Sequence, residues 1–105
     1  MAKYLLLYRG GEMPKTEAEQ GAVMKAWDAW FHELGSAVAD GGNPFTPGAS
    51  KAIAADGAVS DAKSNESGYS VLEADSLDHA TTLAKGCPVL QGGATIEVFE
   101  TFEVM

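Results

Sequence analysis

The sequence predicts an α+β fold in which a layer of helices lies on a layer of strands, and two observations predict it. Short apolar runs bounded by glycine, which are typical of strands, alternate with two segments in which apolar residues recur every three or four positions, as in helices. The chain has 105 residues, 46% of them apolar, which suits one domain with one core. We therefore expect a single domain over residues 1–105.

The first predicted strand covers residues 3–9 (KYLLLYR) and stops at a Gly-Gly pair. Successive side chains of a strand point to opposite faces, and here both sets are apolar. The two sets are Tyr4, Leu6 and Tyr8 on one face, and Leu5 and Leu7 on the other. A strand of this kind is expected to be covered on both sides.

The first predicted helix begins after Thr16, which forms a capping box with Glu19. Its apolar stripe consists of Val23, Trp27, Trp30 and Leu34. Gly35 supplies the expected left-handed stop. A short strand over residues 37–40 and a turn over residues 41–44 (GGNP) follow.

The middle of the chain predicts a hairpin. Two short runs, residues 51–55 and 58–60, flank the turn pair Asp56-Gly57. A further strand is predicted over residues 69–73.

The second predicted helix is capped by Ser76 and is followed by the last strand, over residues 95–104. Its apolar side is formed by Leu77, Ala80, Leu83, Ala84 and Cys87. The order strand, helix, strand, hairpin, strand, helix, strand is the split β-α-β pattern of ferredoxin-like folds with an inserted hairpin. This pattern places both helices on one face of an antiparallel sheet.

Composition excludes several classes of function. The formal net charge is −8 at pH 7, from 15 acidic and 7 basic residues, so we expect no nucleic acid and no membrane partner. The single cysteine allows no internal disulfide, and two histidines are too few for a structural zinc site. We expect no metal and no cofactor. The apolar run near the N-terminus is too short for a signal peptide, so we expect a cytoplasmic location.

The doubly apolar first strand also predicts an oligomer. Two helices cover one face of the sheet, and Phe99 in the last strand adds apolar surface to the other face. A second copy that packs sheet to sheet is the simplest cover, because most soluble oligomers are symmetric homodimers. We therefore expect a homodimer.

Three stretches of the chain resemble the YCII-related family. They are LLLYRGG at residues 5–11, DGGNPF at residues 40–45 after a Trp-rich helix, and the block from Gly68 to Glu97. The resemblance implies a ferredoxin-like protomer of a dimeric α/β barrel.

The sequence departs from the motifs of both branches of that family. The position of a catalytic-pair histidine in one branch falls near Met24, which does not titrate. Of a D-G-P-F motif in another branch, only Asp61 is kept. The resemblance therefore assigns no catalytic residue, and the catalytic residues are unknown.

Three residues with reactive side chains have ordinary structural explanations. His32 lies opposite the apolar stripe of its helix and is expected to be solvated. His79 has no partner ligand one turn away, since Leu83 stands there. Cys87 lies on an apolar stripe, where a thiol is usually a small buried hydrophobe.

A candidate ligand site follows the first strand. Arg9 could pair with an anionic group, and Tyr8 could donate a proton. Trp27 or Trp30 could form one side of an apolar slot, with Asp40 and Asn43 brought near by the topology. The alternative for Arg9 is a surface salt bridge with one of many carboxylates.

The sequence thus predicts a homodimeric domain that binds a small anionic or aromatic organic molecule in a cleft between sheet and helices. Two alternatives stay open. One is an enzyme, of isomerase or lyase type, acting on a cyclic or aromatic acid. The other is a non-catalytic regulatory or interaction domain.

Overall fold

A computed structural model describes residues 2–12, 14–63 and 65–104. The helices are α1 (Glu17–Leu34) and α2 (Leu77–Ala84), and short 3₁₀ turns lie at Gly35–Ala37 and Pro88–Gly92. The strands are β1 (Ala2–Arg9), β2 (Val38–Asp40), β3 (Lys51–Ile53), β4 (Val59–Asp61), β5 (Glu66–Ala74) and β6 (Thr95–Glu100). The predicted order of elements is confirmed.

Four of these strands form one antiparallel sheet. Its order is β2-β5-β1-β6, so the first strand lies inside the sheet and the last strand lies at one edge. Among the described strands, β3 and β4 pair only with each other, as the predicted hairpin. This arrangement is the ferredoxin-like split β-α-β topology, and the predicted fold class is confirmed.

Local capping explains where both helices begin and end. The Thr16 hydroxyl accepts the Glu19 backbone N–H at 3.1 Å, and the Glu19 carboxylate accepts the Lys15 N–H at 2.8 Å. At the other end of α1, Gly35 has φ +57°, the region that favours glycine. In α2, the Ser76 hydroxyl accepts the His79 N–H at 3.0 Å. The predicted caps are therefore present.

The two faces of the sheet follow from the alternation along β1. Leu6 lies opposite Ser70 and Val98, and this face packs against both helices. We call it the covered face; its buried members are Tyr4, Leu6, Tyr8, Ser70, Leu72 and Ala74. We call the other side the open face; it carries Leu5, Leu7, Arg9, Tyr69, Val71, Glu97 and Phe99.

The open face carries no further layer of the described chain. The molecule measures 44 × 40 × 18 Å, and 18 Å accommodates one helix layer on one sheet. Leu5, Leu7, Tyr69 and Val71 are accordingly only half-buried. Phe99 is 43% exposed.

The last strand is shorter than the sequence predicts. It ends at Glu100, whereas the alternation of apolar residues continues to Val104. Glu100 lies opposite Tyr4, and the Thr101 N–H and hydroxyl both donate to the Lys3 carbonyl. Continued in this register, Phe102 would lie opposite Ala2, the first residue of β1, so Glu103 and Val104 extend past that strand.

Candidate functional site

Tyr8 lies on the covered face inside a buried chain of hydrogen bonds. Its hydroxyl donates to the Ser70 hydroxyl at 2.7 Å, and Ser70 donates to the Gly41 carbonyl at 2.7 Å. The residue is 3% exposed. Burial raises the pKa of Tyr8 far above its usual range, an effect that the bond to Ser70 only partly offsets. At neutral pH, Tyr8 is therefore a fixed hydrogen-bond donor that ties β1 to β5 and to the loop after β2.

Trp27 packs directly against Tyr8. Their ring centroids are 5.8 Å apart in an edge-to-face arrangement. Behind Trp27 stands Trp30, which is buried and whose indole N–H donates to the Leu83 carbonyl at 3.3 Å. Trp27 and Trp30 are thus packed among core side chains.

Cys87 belongs to the same packed region. The thiol is free and buried, and burial raises its pKa. A protonated, inaccessible thiol is a poor nucleophile. The sequence-based description of Cys87 as a small buried hydrophobe is confirmed.

Arg9 lies on the opposite side of the sheet from Tyr8, since adjacent residues of a strand face opposite ways. Its guanidinium contacts Glu66 on β5 at 2.8 Å through Nη1, and Glu97 on β6 through Nε. The hydrogen bond to Glu97, with the nearby charge of Glu66, raises the pKa of Arg9. A guanidinium has five N–H donors, and these contacts engage two of its nitrogens, so donors remain for a ligand oxygen.

Asp40 and Asn43 lie beyond β5 from Arg9, at the edge of the sheet formed by β2. The Asp40 carboxylate accepts the Gly42 N–H at 2.8 Å, and the Asn43 carbonyl accepts the Tyr69 N–H at 3.3 Å. Gly42 is required here, because its φ is +73° and a Cβ would stand 1.7 Å from the Tyr69 carbonyl oxygen. The loop thus lies against β5.

The structure therefore separates the five predicted site residues into three places. Tyr8 and Trp27 meet inside the covered face, Arg9 stands on the open face, and Asp40 and Asn43 lie at the sheet edge. They do not line one opening.

The open face has an aromatic pair that sequence reasoning missed. The rings of Phe45 and Tyr69 stack at 6.0 Å with an interplanar angle of 23°. Tyr69 lies opposite Leu7, two positions before Arg9 on the same face of β1. The alternation along Gly68-Tyr69-Ser70 could have placed Tyr69 on this face; Phe45 belongs to an irregular loop and left no periodic signal.

Two shallow cavities lie away from Tyr8 and Arg9. A groove of about 170 Å³ runs beside β6 and is lined by Thr81, Ala84, Lys85, Leu90, Ile96 and Val98. A cavity of about 210 Å³ lies between the end of α1 and the start of α2 and is lined by Leu34, Ser36, Ala37, Glu73 and His79.

The two histidines lie at the surface. His32 is exposed, as predicted, and His79 has its Nδ1 3.9 Å from the Asp75 carboxylate. Within residues 2–12, 14–63 and 65–104, no group of three or more His, Cys, Asp or Glu side chains could hold a metal ion. Neither helix of this part of the chain combines the length and the apolar character needed to cross a membrane.

Comparison with known proteins supports the fold. The sequence matches no family model and no curated protein. Among solved structures, it is similar to 5-chloro-2-hydroxyhydroquinone dehydrochlorinase from Burkholderia phenoliruptrix AC1100 in complex with 2,5-dihydroxybenzoquinone. The TM-score is 0.52 with 20% sequence identity, over 95% of this chain and 93% of that chain. At this identity the likeness shows a shared fold and nothing more.

Proposed function

We propose that this chain is a homodimer of the YCII-related type that binds a small aromatic compound bearing oxygen substituents against the open face of its sheet. The observation that carries this proposal is the combination, on one unlayered face, of half-buried apolar side chains with a guanidinium held in place by two carboxylates.

The apolar part of the open face supports the dimer. Monomeric proteins rarely leave so many apolar side chains partly exposed on one face as this chain does with Leu5, Leu7, Val71 and Phe99. A second copy with the same face would bury it, as in β-sandwiches, where two sheets pack about 10 Å apart. A domain of this length also gains from such burial, because small domains bury a limited share of their surface alone.

The polar part of the open face supports the ligand class. Arg9 is oriented by Glu66 and Glu97, and these two carboxylates outweigh its charge. Neutral carbonyl or hydroxyl oxygens therefore suit this guanidinium better than a free carboxylate group does. The Phe45–Tyr69 pair on the same face provides ring surface for an aromatic body.

The structural neighbour agrees with this ligand class. The dehydrochlorinase is bound to 2,5-dihydroxybenzoquinone, an oxygen-substituted ring. Since the identity is 20%, we take from it only the compatibility of the fold with such a ligand.

Light scattering and calorimetry test the proposal together. We expect a dimer at micromolar concentration, and binding of resorcinol that exceeds binding of benzoate and of cyclohexanol. Replacing Arg9 with Gln should weaken resorcinol binding about ten- to a hundredfold, because a charge-assisted hydrogen bond is lost.

The matched control is Lys3→Gln, which removes a positive charge from an exposed position of the same strand. It should change the affinity by less than about twofold, since its charge is screened by solvent. A monomeric wild type, or equal effects of Arg9→Gln and Lys3→Gln, would refute the proposal.

A further inference from the structure

Strand β5 contains a bulge directly opposite Arg9. Tyr8 lies opposite Gly68, as in a regular ladder. Arg9, the next residue of β1, lies opposite Glu66, so Ser67 is an extra residue of β5. Without the bulge, Ser67 would stand opposite Arg9, and Glu66 would point to the covered face. The bulge therefore turns Glu66 toward the open face, where its carboxylate contacts Arg9 at 2.8 Å.

The hydroxyl of Ser67 lacks a hydrogen-bond partner. Its Oγ atom is buried, and none of the described residues forms a hydrogen bond with it. Three residues further along β5, the Ser70 hydroxyl both accepts from Tyr8 and donates to the Gly41 carbonyl. Folded proteins pair the great majority of their buried hydroxyls, because an unpaired one loses its bonds to water without replacement. The Ser67 hydroxyl is therefore available to a partner from outside the described chain.

Ser67 connects the two parts of the proposed ligand site. Its carbonyl accepts the Phe45 N–H at 2.8 Å, and Phe45 stacks on Tyr69. On its other side it follows Glu66, the residue that contacts Arg9. Ser67 thus lies where the chain passes from the guanidinium and its carboxylate to the aromatic pair.

The side chain of Ser67 belongs to the open face. Gly68 lies opposite Tyr8 on the covered face, and successive residues of a strand alternate. The residue as a whole is half-buried. Rotation about its Cα–Cβ bond moves the hydroxyl among the staggered positions, so the oxygen can turn outward to a ligand.

A guanidinium and a serine hydroxyl together suit a ring that bears two oxygens. Arg9 only donates hydrogen bonds, whereas a hydroxyl both donates and accepts. One carbonyl or phenolic oxygen can accept from Arg9, and a second hydroxyl on the same ring can bond to Ser67. A ring with a single oxygen leaves one of these two groups without a partner. Sites built to bond a ligand hydroxyl discriminate against analogues that lack it for this reason.

We propose that the Ser67 hydroxyl is the second anchor of the open-face site and bonds one ring oxygen while Arg9 bonds another. The preferred ligands are then aromatic rings with two oxygen substituents, and Ser67 is the residue that selects them over rings with one. This inference rests on the proposed function, because it assumes that the ligand lies beside Arg9.

Calorimetry with phenol and the three benzenediols tests the inference. Catechol, resorcinol and hydroquinone differ in the separation of their oxygens, so together they cover the distance between the two anchors. In oxygen-free buffer, the wild type should bind the best of the three about three- to tenfold more tightly than phenol, the value of one neutral hydrogen bond. Ser67→Ala should lose most of this preference and change the affinity for phenol by less than about twofold. Arg9→Gln should weaken the binding of phenol and diol alike.

The melting temperature of the ligand-free protein separates a ligand anchor from a structural serine. Ser67→Ala removes a hydroxyl that has no partner in the chain, so the melting temperature should stay the same or rise. The matched control is Ser70→Ala on the same strand, which leaves the buried Tyr8 hydroxyl without its acceptor. It should lower the melting temperature by about 4 °C or more. A similar loss for Ser67→Ala would show that its hydroxyl is bonded within the chain and would overturn the inference.

The binding results also distinguish this inference from the proposed function. If the wild type binds the diols and Arg9→Gln weakens them, but Ser67→Ala keeps the preference over phenol, Ser67 is not an anchor and the proposed function stands. The same conclusion follows if the wild type has no such preference, or if Ser67→Ala weakens phenol and diols equally. If the wild type binds none of these compounds, both proposals are wrong.

Discussion

Strand β1 presents two apolar faces that have different environments. Leu6 is fully buried on the covered face, between α1, α2 and the neighbouring strands. Leu7, the next residue, is only half-buried on the open face. The polar groups differ as well: Tyr8 is fixed by a buried hydrogen bond to Ser70, whereas Arg9 meets its carboxylates within reach of solvent. Stability should therefore reside on the covered face, and recognition on the open face.

The largest expected difference between the faces is that between Leu6→Ala and Leu7→Ala. Leu6→Ala should lower the free energy of unfolding by about 2–5 kcal/mol, because it leaves a cavity in a closed core. Leu7→Ala should lower the free energy of unfolding by less, and the loss should grow with protein concentration if a second copy covers that side chain as proposed. Urea unfolding at two protein concentrations measures both. If Leu6→Ala and Leu7→Ala lower the free energy of unfolding equally at both protein concentrations, the chain itself covers the open face.

Alkaline pH gives the second test. Burial raises the pKa of Tyr8 and of Cys87, so above pH about 9–10 these groups ionise in the unfolded chain before they do in the folded one. The unfolded state then binds fewer protons, and the free energy of unfolding should fall as pH rises, by up to about 1.4 kcal/mol per pH unit for each group. Below that pH range, Tyr8 and Cys87 should not make the free energy of unfolding depend on pH. Parallel pH profiles for wild type and Tyr8→Phe would show that Tyr8 is not buried.

A smaller effect is expected for Tyr8→Phe at neutral pH. It removes the hydrogen bond to Ser70, but Ser70 keeps its bond to the Gly41 carbonyl, so the expected cost is about 0.5–1.5 kcal/mol. The matched variant on the open face is Tyr69→Phe, which should change stability by less than about 0.5 kcal/mol. Thermal unfolding measures the stability of both variants. A larger loss of stability for Tyr69→Phe than for Tyr8→Phe would contradict the expectation that the covered face contributes more to stability.

The smallest effect on stability is expected for His32→Ala, which serves as a control because His32 lies on neither face of the sheet. It is exposed on α1, and His32→Ala should change the free energy of unfolding by less than about 0.5 kcal/mol. A loss several times larger in chemical denaturation would indicate that His32 is bonded or buried and that the helix is rotated from its described position.

Much of the fold could be predicted from local patterns. The caps at Thr16 and Ser76 depend on residues three positions away, and the hairpin depends on Asp56-Gly57, so short-range rules suffice. The candidate site could not be assembled in the same way. Tyr8 and Arg9 are adjacent in sequence, yet strand geometry sends them to opposite faces, and alternation alone was enough to separate them.

The sequence by itself determined the order of the elements and which residues of β1 lie on each face of that strand. It also determined that there are more apolar residues than two helices can cover. These properties depend on spacing and composition, which are local. Only the tertiary structure decided which carboxylates flank Arg9, which hydroxyl binds Tyr8, and that β6 stops at Glu100. Each of these depends on strand register and on where a neighbouring strand ends, and contacts between residues more than 50 positions apart in sequence set both.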